Sequence, residues 1–198
     1  MKKIINKLKD KKQLISIFVI CIVAFIIGVL LPSILNEENR KIIETSLNSF
    51  FDTIKNNQLK TNELLFKTLT SNIIIDLILW LLGISIIGIP IVIILLSYKS
   101  LSLGFTISSI ISTYKLNGII KALIYIVPNT INLFIFFVIS YYSISFSLML
   151  FNYLFRRKEY NRKIIVKRYL KLLVISIIIL IFSSVIETYV VPKLFSLT

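Results

Sequence analysis

The sequence predicts an all-α polytopic integral membrane protein, a single domain over residues 1–198 with about five transmembrane helices. Hydrophobic residues make up 57% of the chain and its mean hydropathy is +0.90, whereas soluble domains are roughly 45–50% apolar. Several uncharged runs reach about 20 residues, the length that carries a helix across a ~30 Å hydrocarbon core. Lys and Arg residues gather beside these runs, as they do in loops that stay in the cytoplasm.

The N-terminal leader, residues 1–13, carries six lysines before the uncharged run Gln13–Asn36. A cleaved signal peptide is the alternative, but its apolar region is usually about 7–15 residues long and ends at a small-residue cleavage site. The run here is longer and has no Ala-x-Ala pattern. We therefore predict a first span over 14–35 and a cytoplasmic N-terminus.

Residues 36–70 form a polar segment with five basic and five acidic residues, and this neutral charge predicts an extracytoplasmic location. Apolar residues in it recur at helical spacing, which indicates a short amphipathic helix. Its face lies either on the membrane and the protein's own loops or against a partner protein. The candidates for partner docking are Leu47, Phe50, Phe51 and Ile54. The segment is too small to be an enzyme domain by itself.

The central apolar region predicts a second span over 72–97, because residues 77–98 contain no charge. Glycines within it would let neighbouring helices approach closely. The next uncharged run, 100–114, has only 15 residues and could cross the membrane or re-enter it. A crossing over 98–116 is preferred, since it keeps the basic loop 154–171 in the cytoplasm.

Residues 122–155 are uncharged for 34 positions, about 51 Å as a helix and more than one membrane thickness. Pro128 predicts a break, which gives a re-entrant or interfacial segment over 117–128 and a fourth span over 129–153. The loop 154–171 carries eight basic residues and one acid. A fifth span over 172–191 then leaves the C-terminus extracytoplasmic.

The formal net charge of +14 raises the possibility of nucleic-acid binding. The basic residues flank apolar spans, however, where they set the orientation and meet anionic lipid headgroups. We therefore predict contacts with anionic lipid and no nucleic-acid partner.

Histidine is absent from the sequence, which removes the commonest general base and a common zinc ligand. The single cysteine, Cys21, excludes an intramolecular disulfide. Two acids, Asp76 and Glu187, interrupt apolar spans near their predicted outer ends. They are either hydrated interfacial carboxylates or members of a buried polar cluster with Lys115, Lys121 and the asparagines after the predicted break. We predict no enzymatic activity, no catalytic residue, no cofactor and no metal.

Several motifs resemble, in their order and spacing, the stage II sporulation protein M family of endospore-forming bacteria. They are Trp80–Pro90, Lys99, Gly104–Thr106, Val127–Asn129, Phe146–Leu148, Ile186–Tyr189 and Pro192. Candidates for a structural or assembly role are Trp80, Gly83, Gly88, Pro90, Gly104, Pro128, Asn129, Asp76 and Glu187.

The resemblance implies a membrane scaffold in the mother-cell membrane at the sporulation septum. This scaffold is either a single chain or a homo-oligomer. Its implied partners are two membrane-anchored peptidoglycan hydrolases, one that cleaves glycan strands and one amidase or endopeptidase, whose action drives engulfment of the forespore. The alternative is a transporter or permease subunit of an export system, because a proline-broken segment beside embedded polar groups is what a substrate path needs.

Overall fold

The computed structural model describes residues 2–55, 60–156 and 162–195, and it confirms the all-α prediction. A π-helical turn, Ile186–Val190, joins the last two helices. The helices are α1 Lys2–Ile34, α2 Glu37–Lys55, α3 Thr61–Leu82, α4 Gly88–Arg156, α5 Arg162–Val185 and α6 Val191–Phe195. Within these ranges, four helical stretches are long and apolar enough to cross a membrane: 11–34, 61–82, 88–153 and 165–195.

Helix α4 is a sharply bent hairpin and not a straight rod. Lys115 has φ 52° and ψ −123°, outside the helical region, and this one residue reverses the chain. The break divides α4 into an N-terminal arm, 88–114, and a C-terminal arm, 116–156, each longer than the ~30 Å hydrocarbon core at about 1.5 Å per residue. Buried Ile110 on the first arm and Ala122 on the second belong to one apolar cluster between the arms.

The prediction of one continuous helix over 72–97 is wrong. Helix α3 ends at Leu82, a turn occupies 83–87, and α4 begins at Gly88. The turn is built from short backbone bonds, in which the Ser85 N–H donates to the Leu82 carbonyl and the Gly88 N–H donates to the Ser85 carbonyl, each at 3.1 Å. A run of uncharged residues does not reveal such a turn, because its residues are as apolar as the helices that it joins.

Two residues of the Trp80–Pro90 motif explain why the chain reverses at this turn. A Cβ on Gly88 would overlap the backbone of Leu82, so only glycine allows the two helix ends to approach this closely. Pro90 is the third residue of α4, within the first turn, where a backbone N–H has no helical acceptor and its loss carries no penalty.

The predicted proline break at Pro128 is also wrong, and so is the division into 117–128 and 129–153 that depended on it. The predicted span 98–116 begins inside α4, but its end lies one residue from the break at Lys115. The C-terminal arm of α4 stays helical through Pro128. Neighbouring polar groups stabilise this region, because Asn129 Nδ2 donates to the Tyr125 carbonyl at 3.0 Å and Ser183 Oγ donates to the Pro128 carbonyl at 3.0 Å. Such contacts are what allows proline inside apolar helices.

Helix α1 lies along the N-terminal arm of α4 and runs in the same direction. A Cβ on Gly28 would overlap the Leu101 backbone, and a Cβ on Gly104 would overlap the Phe25 backbone. Ser100 Oγ donates to the Cys21 carbonyl at 2.8 Å. Close glycine contacts and interhelical hydrogen bonds are the usual means by which helices associate in lipid, where all surfaces are apolar.

The main core joins α1, α3, α5 and both arms of α4. Its buried members are Ile17, Cys21, Leu79, Val92, Leu96, Ile135, Phe136, Ile139, Ile144 and Leu180. Many other large apolar side chains face outwards, as expected of a bundle surrounded by lipid.

The bundle has two distinct ends. The Gly83 end holds the turn 83–87 and the hydrogen bond from Gln13 Nε2 to Ser145 Oγ. The Lys115 end holds the α4 break, and there α2 and α6 pack on the bundle through an apolar cluster that includes Phe51, Ile54, Val191 and Phe195.

Candidate functional site

Polar side chains from α3, both arms of α4 and the π-helical turn converge inside the bundle. Lys99 lies eleven residues after Gly88, about 16 Å along the N-terminal arm of α4. It is therefore near the middle of the bundle and not at a cytoplasmic boundary, where the span limits 72–97 and 98–116 placed it. A charged side chain at this depth is energetically costly, and this alone makes Lys99 a candidate functional group.

Lys99 borders a partly open cavity of about 110 Å³, large enough for a few water molecules. Most of the side chains around the cavity are amides, hydroxyls or aromatic rings. They are Asn72, Lys99, Ser102, Leu103, Thr106, Tyr125, Asn129, Asn132, Leu133 and Phe136.

The charges of Lys99 and Glu187 are the centre of this cluster. The Lys99 ammonium stands 5.7 Å from the centroid of the Phe136 ring, a cation–π distance. Asn132 Nδ2 donates to Glu187 Oε2 at 3.4 Å, and the Glu187 carboxylate attracts Lys99 electrostatically. Asn132 Oδ1 is buried, with no hydrogen-bond partner among the described residues. A donor within the cavity would complete its hydrogen bonding.

A second part of the cluster follows helix α3. Asn72 Nδ2 donates to Ser184 Oγ at 3.4 Å, and four residues later Asp76 Oδ2 accepts a bond from Ser176 Oγ at 2.5 Å. Asp76 is completely buried, and its Oδ1 has no partner in the described part of the chain. The spacing of four residues places Asn72 and Asp76 on one face of α3, so polar groups continue from the cavity towards the Gly83 end.

Three stacked aromatic side chains, Trp80, Phe146 and Tyr169, lie between this polar cluster and the Gly83 end, and we call them the aromatic lock. The Tyr169 ring stacks on Trp80 at 5.1 Å and on Phe146 at 4.3 Å between centroids. Its hydroxyl donates to the Trp80 carbonyl at 2.7 Å, and Ser143 Oγ donates to the Leu79 carbonyl at 2.6 Å. These contacts join α3, α5 and the C-terminal arm of α4.

The family model of stage II sporulation protein M matches residues 17–192, which include the whole polar cluster and the aromatic lock. This chain belongs to the stage II sporulation protein M family. Family membership and the apolar helices together indicate a sporulation-related membrane protein. Neither the comparison with curated proteins nor the comparison with solved structures gives a significant match.

In this member of the stage II sporulation protein M family, the predicted docking face is mostly covered. Phe51 is 5% exposed and Ile54 is 4% exposed, and Leu47 is half-buried against the same cluster. Phe51 packs edge-on against Tyr114 at 5.1 Å and Phe195 at 5.0 Å between centroids. The apolar face of α2 therefore covers the protein's own Lys115 end. Of the four docking candidates, only Phe50 is exposed, at 42%.

The structure brings together only part of the acid cluster that the sequence suggested. Asp76 and Glu187 make buried or half-buried polar contacts, which favours that interpretation over hydrated interfacial carboxylates. Lys121 instead lies at the Lys115 end, 3.9 Å from the Tyr114 ring centroid and 4.2 Å from that of Phe51. Lys115 lies at the bend of α4.

Sequence reasoning missed Lys99 as an interior residue because the predicted spans 72–97 and 98–116 meet beside it, which placed it at the membrane boundary. One feature could have revealed it. Lys99 has long apolar sequence on both sides, with Leu95 and Leu96 before it and Leu101 and Leu103 after it.

Proposed function

We propose that this chain is a non-enzymatic membrane scaffold that assembles and localises peptidoglycan hydrolases at the sporulation septum to drive forespore engulfment. One observation carries the proposal: interior hydroxyls join the helices to one another through backbone carbonyls. The bonds are Ser100 to Cys21, Ser143 to Leu79, Ser147 to Ser85, Ser183 to Pro128 and Tyr169 to Trp80. A bundle held in this way is a rigid platform, which is what a scaffold needs.

The proposed topology has five crossings: α1, α3, the two arms of α4, and α5. The Gly83 end is cytoplasmic, because the lysine-rich leader and the basic segment 154–171 attach there. The Lys115 end, with α2 and the C-terminus, is then extracytoplasmic. Family membership is the basis for proposing the mother-cell membrane at the septum as the location. The proposed topology then turns the neutral segment 36–70 towards the cell wall.

The proposed docking surface is the exposed side of α2 that adjoins the face covering the bundle. Ile42 is 59% exposed and Phe50 is 42% exposed, and their spacing of eight residues places both on this side of the helix. Because α2 is fixed to the bundle by Phe51, a hydrolase bound there would be held at a defined height above the membrane. The proposed partners are membrane-anchored enzymes, one that cleaves glycan strands and one amidase or endopeptidase.

Affinity purification of the tagged protein from sporulating cells in mild detergent, followed by mass spectrometry, tests this proposal. We expect both hydrolases to be recovered with the wild type and lost with the double variant Ile42→Ser, Phe50→Ser. Phe155→Ser is the matched control, because Phe155 is 69% exposed at the opposite end of the bundle. Absence of hydrolases from the wild-type sample, or their equal loss in the control, would contradict the scaffold.

A transporter or permease subunit is the second candidate function, and the partly open cavity beside Lys99 is the observation that favours it. A charged group beside a mid-depth cavity is a common feature of substrate and ion paths. Co-purification of an ATPase subunit, or saturable solute binding that Lys99→Met abolishes, would support transport over the scaffold.

A further inference from the structure

A second and larger cavity, about 360 Å³, lies at the Lys115 end between α1, α2 and the N-terminal arm of α4. It is separate from the Lys99 cavity and shares no lining residue with it. Its polar lining includes Arg40, Glu44, Ser109, Ser112, Thr113 and Lys115. With Ser33, two cationic residues, one carboxylate and four hydroxyl residues therefore line a common space.

The fold places both cationic residues beside the cavity. Arg40 Nη2 donates to the Ser33 carbonyl at the end of α1, at 2.6 Å, which fixes the guanidinium and leaves further N–H donors for a ligand. Lys115 borders the cavity from the bend of α4, where its positive φ is rare for a residue other than glycine. Unusual backbone conformations of this kind concentrate at functional sites.

Ser109 gives independent evidence of a ligand. It is 2% exposed and lines the cavity, yet its hydroxyl has no hydrogen-bond partner among the described residues. Its backbone carbonyl is satisfied by Ser112 Oγ at 3.0 Å. Buried hydroxyls are normally paired, so the Ser109 hydroxyl has a hydrogen bond to offer to a polar ligand in this cavity.

We propose that this cavity binds a glycerol phosphodiester, the chemistry shared by a phospholipid headgroup and a soluble glycerophosphodiester. Arginine and lysine donors suit phosphate oxygens. The formal charge of the lining is +1, from two cations and one carboxylate, which favours a monoanionic diester over a dianionic phosphate monoester. Glu44 can accept hydrogen bonds from the glycerol hydroxyls. The proposal does not depend on the scaffold function.

Calorimetric titration of the full chain in maltoside micelles, which contain no phosphate, tests the site. The probes are glycerophosphoglycerol, short-chain phosphatidylglycerol below its micelle concentration, and inorganic phosphate. We expect saturable binding of glycerophosphoglycerol that is weakened about tenfold or more by Arg40→Gln and by Lys115→Asn. Asparagine tolerates positive φ better than most residues, so the second variant removes charge with little added strain.

Ser109→Ala separates a built site from general attraction to positive charge, because it alters no charge. We expect it to weaken binding several-fold, whereas Lys41→Gln should leave binding unchanged, since Lys41 neighbours Arg40 but does not line the cavity. Phosphatidylglycerol that binds at least tenfold more tightly than glycerophosphoglycerol would identify a lipid as the source, and equal affinity would identify the soluble diester. Absence of saturable binding, preference for inorganic phosphate, or equal weakening by Lys41→Gln would overturn the proposal.

Discussion

Asn132 donates a hydrogen bond to Glu187 across 3.4 Å, and this contact joins the C-terminal arm of α4 to the π-helical turn after α5. Asn132 also lines the cavity that Lys99 borders. Its amide therefore lies between the Glu187 carboxylate and this cavity. Glu187 lies within the π-helical turn, and such turns occur frequently at functional sites.

Lys99 and Glu187 are expected to depend on each other for stability. Either Lys99→Met or Glu187→Gln removes one charge and leaves its partner inside an apolar bundle, which is more costly than removing both. We therefore expect each single variant to lower the unfolding temperature in detergent and the double variant to recover part of the loss. A double-mutant cycle should give a coupling free energy of about 0.5–3 kcal/mol. Strictly additive effects would show that the two charges act independently.

The sequence was sufficient to predict the helical class, because uncharged runs and their basic flanks follow directly from the properties of a bilayer. It was not sufficient to locate the chain reversals. The turn 83–87 has no charged residue, whereas Lys99 is charged and lies within a helix. Pro128 is a strong helix breaker in water, yet Asn129 and Ser183 bond the neighbouring carbonyls and the helix continues.

The candidate site was predictable in part. Asp76 and Glu187 were conspicuous as acids within apolar sequence, and both make interior polar contacts. Their partners could not be predicted, because Ser176 and Asn132 are distant in the chain and become neighbours only through helix packing. The face of α2 was recognised from its spacing, but spacing does not distinguish a face that covers the protein's own bundle from one that binds a partner.

Gly83 is expected to tolerate no side chain. A Cβ there would overlap the Tyr169 hydroxyl and the Ser143 backbone. Gly83→Ala should therefore push apart the aromatic lock and destabilise the protein by about 1–3 kcal/mol, as overpacking usually does. The measurement is thermal unfolding in detergent. Ile84→Ala in the same turn is the control, because Ile84 is 50% exposed. An unchanged unfolding temperature for Gly83→Ala would contradict the close packing of this turn.

The adjacent residues Phe50 and Phe51 give a matched test of how α2 is attached. Phe51 is 5% exposed between Tyr114 and Phe195, whereas Phe50 is 42% exposed. Removal of a buried phenylalanine side chain costs about 3–5 kcal/mol, so Phe51→Ala should release α2 from the bundle. Hydrogen exchange of the α2 amides should become much faster in Phe51→Ala and stay near wild type in Phe50→Ala. Similar exchange in both variants would mean that α2 is held by other contacts.

The position of the turn 83–87 distinguishes two topologies. With the observed helices the turn lies at the membrane surface between two crossings, whereas in a continuous span over 72–97 it would lie in the middle of the membrane. Ile87 is 78% exposed at the Gly83 end, and Leu116 is 79% exposed at the Lys115 end. In a Cys21→Ala background, we expect Leu116→Cys to react with a membrane-impermeant maleimide in intact cells. Ile87→Cys should react only after the membrane is permeabilised. A residue in the middle of a span would be shielded by lipid on both sides, so failure of Ile87→Cys to react after permeabilisation would restore the continuous span. Reaction of Ile87→Cys in intact cells would reverse the proposed orientation.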